Sequence, residues 1–192
     1  MRITRWICLL FMPVFLTSCF SVKYRKPGEF SEEPLYVSME DYPKVDGSTS
    51  AQPLQVIVAC YFLKTDYEWI STGPRDVKRL VAVSKENPKT AAFIHDHIIH
   101  NGTHEAYVNL IERKVDLILV ERAPSQDEID LAKKKNTGFV IKPVALDAYS
   151  TKAYAVVRTR QCRKCKAYRL FQWMVSEEGQ ELVEKIGYVP VH

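Results

Sequence analysis

Apolar runs that read as strands alternate with segments of helical spacing. This alternation predicts an α/β domain of three layers, with a mostly parallel central sheet flanked by helices. Three stretches carry the expectation. A hydroxyl-rich turn, Asp46-Gly47-Ser48-Thr49-Ser50-Ala51, stands between an extended segment and an apolar run. An apolar strand at 115–120 lies between two segments with helix-start signals, and an amphipathic helix covers 170–186. The composition is 46% hydrophobic and 26% charged, ordinary for a globular domain. The formal charge of +4 is too small to argue for a nucleic-acid partner.

At the N-terminus, Arg2 and Arg5 precede an almost wholly apolar run at 6–16. That run is too short for an ordinary transmembrane helix and has the build of a signal peptide. It ends in Leu16-Thr17-Ser18-Cys19, which resembles the lipobox of bacterial lipoproteins. The resemblance implies removal of 1–18, lipid attachment at Cys19, and a body anchored at the extracytoplasmic face of a bacterial cell envelope. Residues 19–40 are rich in Lys, Glu, Pro and Ser and are expected to form a flexible tether. The folded domain is expected over 41–192.

Within that domain, 42–45 suits a short strand. Ser48, Thr49 and Ser50 then precede the apolar run 54–63. Hydroxyls at a helix start accept bonds from its free N–H groups, and the same N–H groups attract anions. The turn is therefore suited to capping a helix, holding an anion, or both. The helix is expected from about 50 and to be broken at 64–66. The Gly73-Pro74 pair predicts an irregular connection over 67–80. Asn87-Pro88 predicts a turn, and 91–99 fits a strand or a short helix.

The second half is plainer. Residues 103–113 place Ala106, Leu110 and Ile111 at helical spacing, with Thr103 at the start and Glu105 in the first turn. Residues 115–120 read as a buried strand in which Asp116 is the one polar member. Ser125-Gln126-Asp127-Glu128 is a capping box that opens a helix to about 135, stopped by Asn136 and Gly138. Strands are expected at 139–146 and 153–157. One helix over 170–186 would gather Leu170, Trp173, Met174, Leu182, Val183 and Ile186 on a single face, with Gly187 ending it.

Five stretches together resemble the phosphate-type solute-binding proteins of bacterial ABC importers, which have the type 2 periplasmic-binding fold. They are YPKVDGSTS at 42–50, GTHEAYVNLI at 102–111, VDLILVERAPS at 115–125, KPVALDA at 142–148 and GQELVEKIGYVPV at 179–191. They stand in the family's order. The resemblance implies that Ser48 and Thr49 form the first anion-binding turn and that Thr103 is the hydroxyl ligand of the second. It places Glu121 or Arg122 where the family often has an acidic residue. A carboxylate there accepts a proton from a protonated oxyanion, whereas an arginine adds positive charge. The chain departs from the family after Asp147. YSTKAYAVV at 149–157 resembles the returning hinge strand, so the second lobe is missing near 148–151. Half a cleft implies weak binding of inorganic phosphate or a similar oxyanion, millimolar at best, or about −4 kcal/mol. A transport role beside an ABC permease then competes with an interaction or assembly scaffold built on the single lobe.

Other constellations speak less clearly. His95, His97, His100 and His104 have partly metal-like spacing but lack an accompanying set of cysteines or carboxylates, so no metal is expected. Cys162 and Cys165 form a C-x-x-C motif that suits a disulfide or two free thiols better than half a zinc site. Cys60 lies in an apolar run and reads as a core residue. The bases around the C-x-x-C would meet anionic headgroups or simply face water. No nucleophile–base pairing can be placed, so neither an enzymatic reaction nor a cofactor is expected.

Overall fold

The architecture follows from how few residues separate the last two strands and how many separate the first two. The structure is a computed structural model, and it describes residues 35–73, 76–147 and 151–191. The assigned signal peptide, Cys19 and most of the assigned tether lie outside these residues.

The main sheet contains β1 (Val45–Gly47), β4 (Leu117–Val120), β5 (Phe139–Leu146) and β6 (Lys152–Arg158), in the order β1-β4-β6-β5. Strands β1 and β4 are parallel, with Val45 opposite Leu117. The long intervening segment holds crossover helices, as a parallel pair requires. Strand β6 is antiparallel to both β4 and β5. The sheet is therefore mixed, and the expectation of a mostly parallel sheet is corrected. The reason is chain length: β5 and β6 are joined through 147–151, too short for a crossover, and their strands must reverse. Asp147 N–H donates to the Thr151 carbonyl at 3.0 Å across that turn. The assigned returning strand thus pairs directly with the one before it, and no lobe is inserted between them. Single bridges extend both edges, Ile98 beside Val45 and Val189 beside Leu146.

Period-two alternation sorts the sheet's two faces. Leu117, Leu119, Ala155 and Val157 join one core with Leu54, Ala59, Ile94, Leu170, Phe171 and Val183. Ile118, Val120 and Val156 join the other with Ala106, Tyr107 and Leu110. Helices α1 (Gln52–Leu63), α2 (Pro88–His97), α5 (Lys166–Trp173) and α6 (Glu177–Lys185) contribute to the first core, and α3 (Thr103–Ile111) to the second. This is the expected three-layer arrangement. Helix α4 (Gln126–Lys134) carries the expected capping box. No helix among the described residues is long and apolar enough to cross a membrane.

Three local expectations change. The region assigned as an irregular connection is a β-hairpin of β2 (Asp66–Thr72) and β3 (Val77–Val83), paired throughout with Gly73 in its turn at φ +72°. The helix over 170–186 is two helices. Ser176 ends one and starts the next: its hydroxyl donates to the Trp173 carbonyl at 2.7 Å and accepts from Gly179 N–H at 3.3 Å. The folded body also begins earlier than residue 41, because Val37 is buried in the core and Leu35 packs against it. Between the assignments left open at 91–99, the structure gives helix, with the Asn87 side chain accepting the Thr90 N–H.

Candidate functional site

Strands β1 and β4 run in the same direction, so their carboxyl ends lie side by side. The Ser48 turn follows β1, Glu121 follows β4, and the start of α3 joins them. Gly102 N–H donates to the Gly47 carbonyl at 3.1 Å, and Ser48 N–H to the Leu119 carbonyl at 3.0 Å. Such crevices at strand carboxyl ends are where open α/β sheets bind ligands.

Gly47 makes this approach feasible. A Cβ there would lie 2.0 Å from both the Gln55 side-chain nitrogen and the Leu119 carbonyl oxygen. Beneath the turn, the wholly buried Asp46 carboxylate accepts four bonds. The donors are Gly47 N–H at 2.7 Å, Asn101 N–H and its side-chain amide at 3.0 Å each, and the Asn109 amide at 2.8 Å. Asp46 therefore ties the β1 end to the α3 segment. The sequence places Asp46 within the turn but leaves this role unread, because Asn101 and Asn109 lie more than fifty residues away. The signal that was available is the pair Asn101 and Asn109, one amide just before α3 and one within its last turn.

Ser48 is buried. Its hydroxyl lies 2.9 Å from the Ser50 hydroxyl and accepts from Ala51 N–H at 3.2 Å. Helix α1 starts after Ala51, and Ser48 closes the turn that leads into it. The expected hydroxyl cap of α1 is not made, because the N-cap position is Ala51 and no side chain among the described residues accepts from the first helical N–H groups. Thr49 is exposed. The Ser50 hydroxyl donates to the exposed Glu121 carboxylate, so Glu121 reaches across from β4 to the turn. Thr103 occupies the first helical position after Gly102, whose φ of +97° favours glycine. The Thr103 hydroxyl is buried yet has no hydrogen-bond partner among the described residues.

Arg122 turns away. Its guanidinium grips the buried Glu128 carboxylate with two bonds, at 2.9 and 2.7 Å, and lies 5.8 Å over the Tyr107 ring. Glu128 also accepts Ser125 N–H at 2.7 Å and faces His104 Nδ1 at 3.0 Å. Burial works against the Glu128 charge, but Arg122, Ser125 and His104 outweigh it and hold the carboxyl below the usual range. Of the two residues assigned after β4, Glu121 approaches the turn while Arg122 braces α4.

The remaining groups disperse. His95 pairs with Asp96 at 3.1 Å, and His97 stacks on Phe93 at 4.4 Å. Burial, then the charge of Arg79, holds the His100 imidazole below its ordinary range. Cys162 and Cys165 are free thiols in the loop before α5, and Cys165 N–H donates to the Cys162 carbonyl at 3.1 Å. Two of the neighbouring bases serve the fold. Arg158 reaches Asp116 at 3.3 Å and the Leu110 carbonyl at 3.0 Å, while Lys166 pairs with Asp41 at 3.2 Å. Cys60 is buried, and burial pushes its thiol up to about 12.

The fold has a likeness among solved structures. The crystal structure of "a possible phosphate binding protein from Planctomyces limnophilus DSM 3776" is similar to this chain, with a TM-score of 0.54 and 9% identity. The match covers 83% of this chain and 94% of that one, leaving little of the neighbour outside the shared fold. At that identity it shows a distant relationship in fold. No family model and no curated protein matches the chain.

Proposed function

We propose that this protein is an extracytoplasmic, lipid-anchored relative of phosphate-binding importer components that binds an oxyanion weakly and without catalysis. One observation carries the reading. The Ser48 turn, the start of α3 with its unpartnered Thr103 hydroxyl, and Glu121 converge at the carboxyl ends of the parallel strands β1 and β4. Hydroxyls and free N–H groups at a helix start suit phosphate, with Ser48, Thr49 and Thr103 as the donors. Glu121 adds a condition: its negative charge repels a fully ionised oxyanion but accepts a bond from a protonated one. Arg122, held by Glu128, leaves that role to the carboxylate. With one wall only, the anion stays in contact with water and salt, which weakens each bond to it. The lipid anchor at Cys19 rests on the sequence pattern, and a permease partner on the resemblance.

The test is isothermal titration of the full-length chain, in mild detergent, with phosphate. Saturable binding that is lost in the double variant Ser48→Ala with Thr103→Val is expected. No heat at millimolar phosphate from folded protein would remove the anion reading. A second reading, an assembly scaffold, draws on the exposed aromatics of the hairpin, Tyr67 and Trp69.

A further inference from the structure

We infer that β2 is a self-association edge, and that two copies of this chain pair there as antiparallel strands about a two-fold axis. Strand β3 is packed on α1 and α2, and Gln52 of α1 donates to the Leu80 carbonyl at 2.8 Å. Strand β2 lies outside it. Among the described residues, 67–71 have backbone bonds to β3 only. The outer row of N–H and C=O groups is therefore open over most of a seven-residue strand. Natural edges are usually blunted by lysine, proline, a bulge or short length. Asp66–Thr72 contains no lysine or proline and pairs with β3 without a bulge; its charges are Asp66 at the end and Glu68.

The side chains point to the occupant. Tyr67 and Trp69 share a face with Ala82 and the buried Leu80, yet stay 42% and 56% exposed. Tyr67 also borders a cleft of about 460 Å³ in which Ile57, Leu182 and Ile186 are joined by Glu178, Glu181 and Lys185. The strand is self-complementary when the two-fold axis passes through Trp69. Asp66 then faces Thr72 of the second copy, Tyr67 faces Ser71, Glu68 faces Ile70, and Trp69 faces Trp69. No like charges oppose each other, and an aromatic pair sits at the centre, the kind of cross-strand pair that stabilises sheets. An axis one residue earlier would set Glu68 against Glu68. A two-fold contact uses one patch twice, as most soluble homo-oligomers do. The result is a four-stranded sheet across the dimer, in place of two separate two-stranded hairpins.

The test is sedimentation of the full-length chain across a concentration series in mild detergent, with hydrogen exchange at 67–71. A monomer–dimer equilibrium is expected, with the β2 amides that point away from β3 becoming protected at high concentration. Trp69→Lys, at an exposed position, should weaken the dimer by about tenfold or more while leaving thermal unfolding of the monomer unchanged, because it sets like charges face to face. Tyr67→Lys should weaken it too, and adding Ser71→Glu to the same chain should restore it, since opposite charges then meet across the axis. A monomer at every concentration, a dimer indifferent to these substitutions, or protection in a monomer of the 67–71 amides that point away from β3 would each overturn the proposal. Failure of the paired substitution to restore the dimer would overturn it as well. None of these residues belongs to the anion site, so the two readings fail separately.

Discussion

At the scale of single residues, Asp46 and Gly47 bear the greatest constraint. Removing the Asp46 carboxylate strands four donors, one buried and three part-buried, and an orphaned buried donor costs about 1–3 kcal/mol. Asp46→Ala is therefore expected to lower unfolding stability by about 3 kcal/mol or more in urea titration. Gly47→Ala forces a methyl to within 2.0 Å of the Leu119 carbonyl oxygen and should cost about 2–3 kcal/mol as the β1–β4 pair is pushed apart. Glu121→Gln keeps the shape of the site but removes its repulsion of ionised anions. Titration calorimetry should then show sulfate gaining on phosphate, whereas an unchanged ratio would mean that Glu121 does not face the ligand.

At the scale of elements, two joints deserve separate tests. The first is the brace of α3 against α4 through Glu128. Its carboxyl is held below its ordinary value of 4.5. A depressed carboxylate contributes stability that is fully present above its unfolded pKa and is lost as pH falls through the folded one. Wild-type stability should thus fall as pH drops below 4.5, and Glu128→Gln should be less stable at neutral pH with a flatter acid limb. Urea unfolding along a pH series reads both. The second joint is the break between α5 and α6. Ser176→Ala removes a helix cap and should cost about 1 kcal/mol. Gly179 sits so close to the Trp173 carbonyl that a Cβ would lie 2.1 Å from its oxygen, so glycine lets α6 start this near the end of α5. The sequence offered Ser176, Glu177 and Glu178 as a start signal. The apolar face of 170–186 masks it, because two short helices packed on one sheet can share a face as well as one long helix can.

At the scale of the whole molecule, a one-walled site predicts a small linkage between ligand and stability. Phosphate at ten times its dissociation constant should raise unfolding free energy by about 1.4 kcal/mol, and the Ser48→Ala, Thr103→Val variant should lose that gain. The order of most elements was legible in the sequence, because caps, glycines and apolar periods are local signals: the α4 capping box, the β5 limits and the start of α3 all agree with the structure. The resemblance named Ser48, Thr49, Thr103 and Glu121 or Arg122 as candidates, and the structure brings the Ser48 turn, the start of α3 and Glu121 together. What local pattern left open was strand direction, the hairpin and the choice between Glu121 and Arg122. Direction depends on which strands become neighbours, although the short 147–151 link already required β5 and β6 to reverse. The hairpin was obscured by an outer strand that is mostly exposed and so carries little burial pattern. The fate of Arg122 was decided by Glu128, six residues on and buried only when α4 packs. The sequence by itself determined where α3, α4 and β5 begin, because those starts are marked by caps and glycines that act on neighbouring backbone groups. Only the tertiary structure decided which side chains meet at the site, because β1, α3 and β4 are brought together by a sheet whose hydrogen bonds span more than seventy residues.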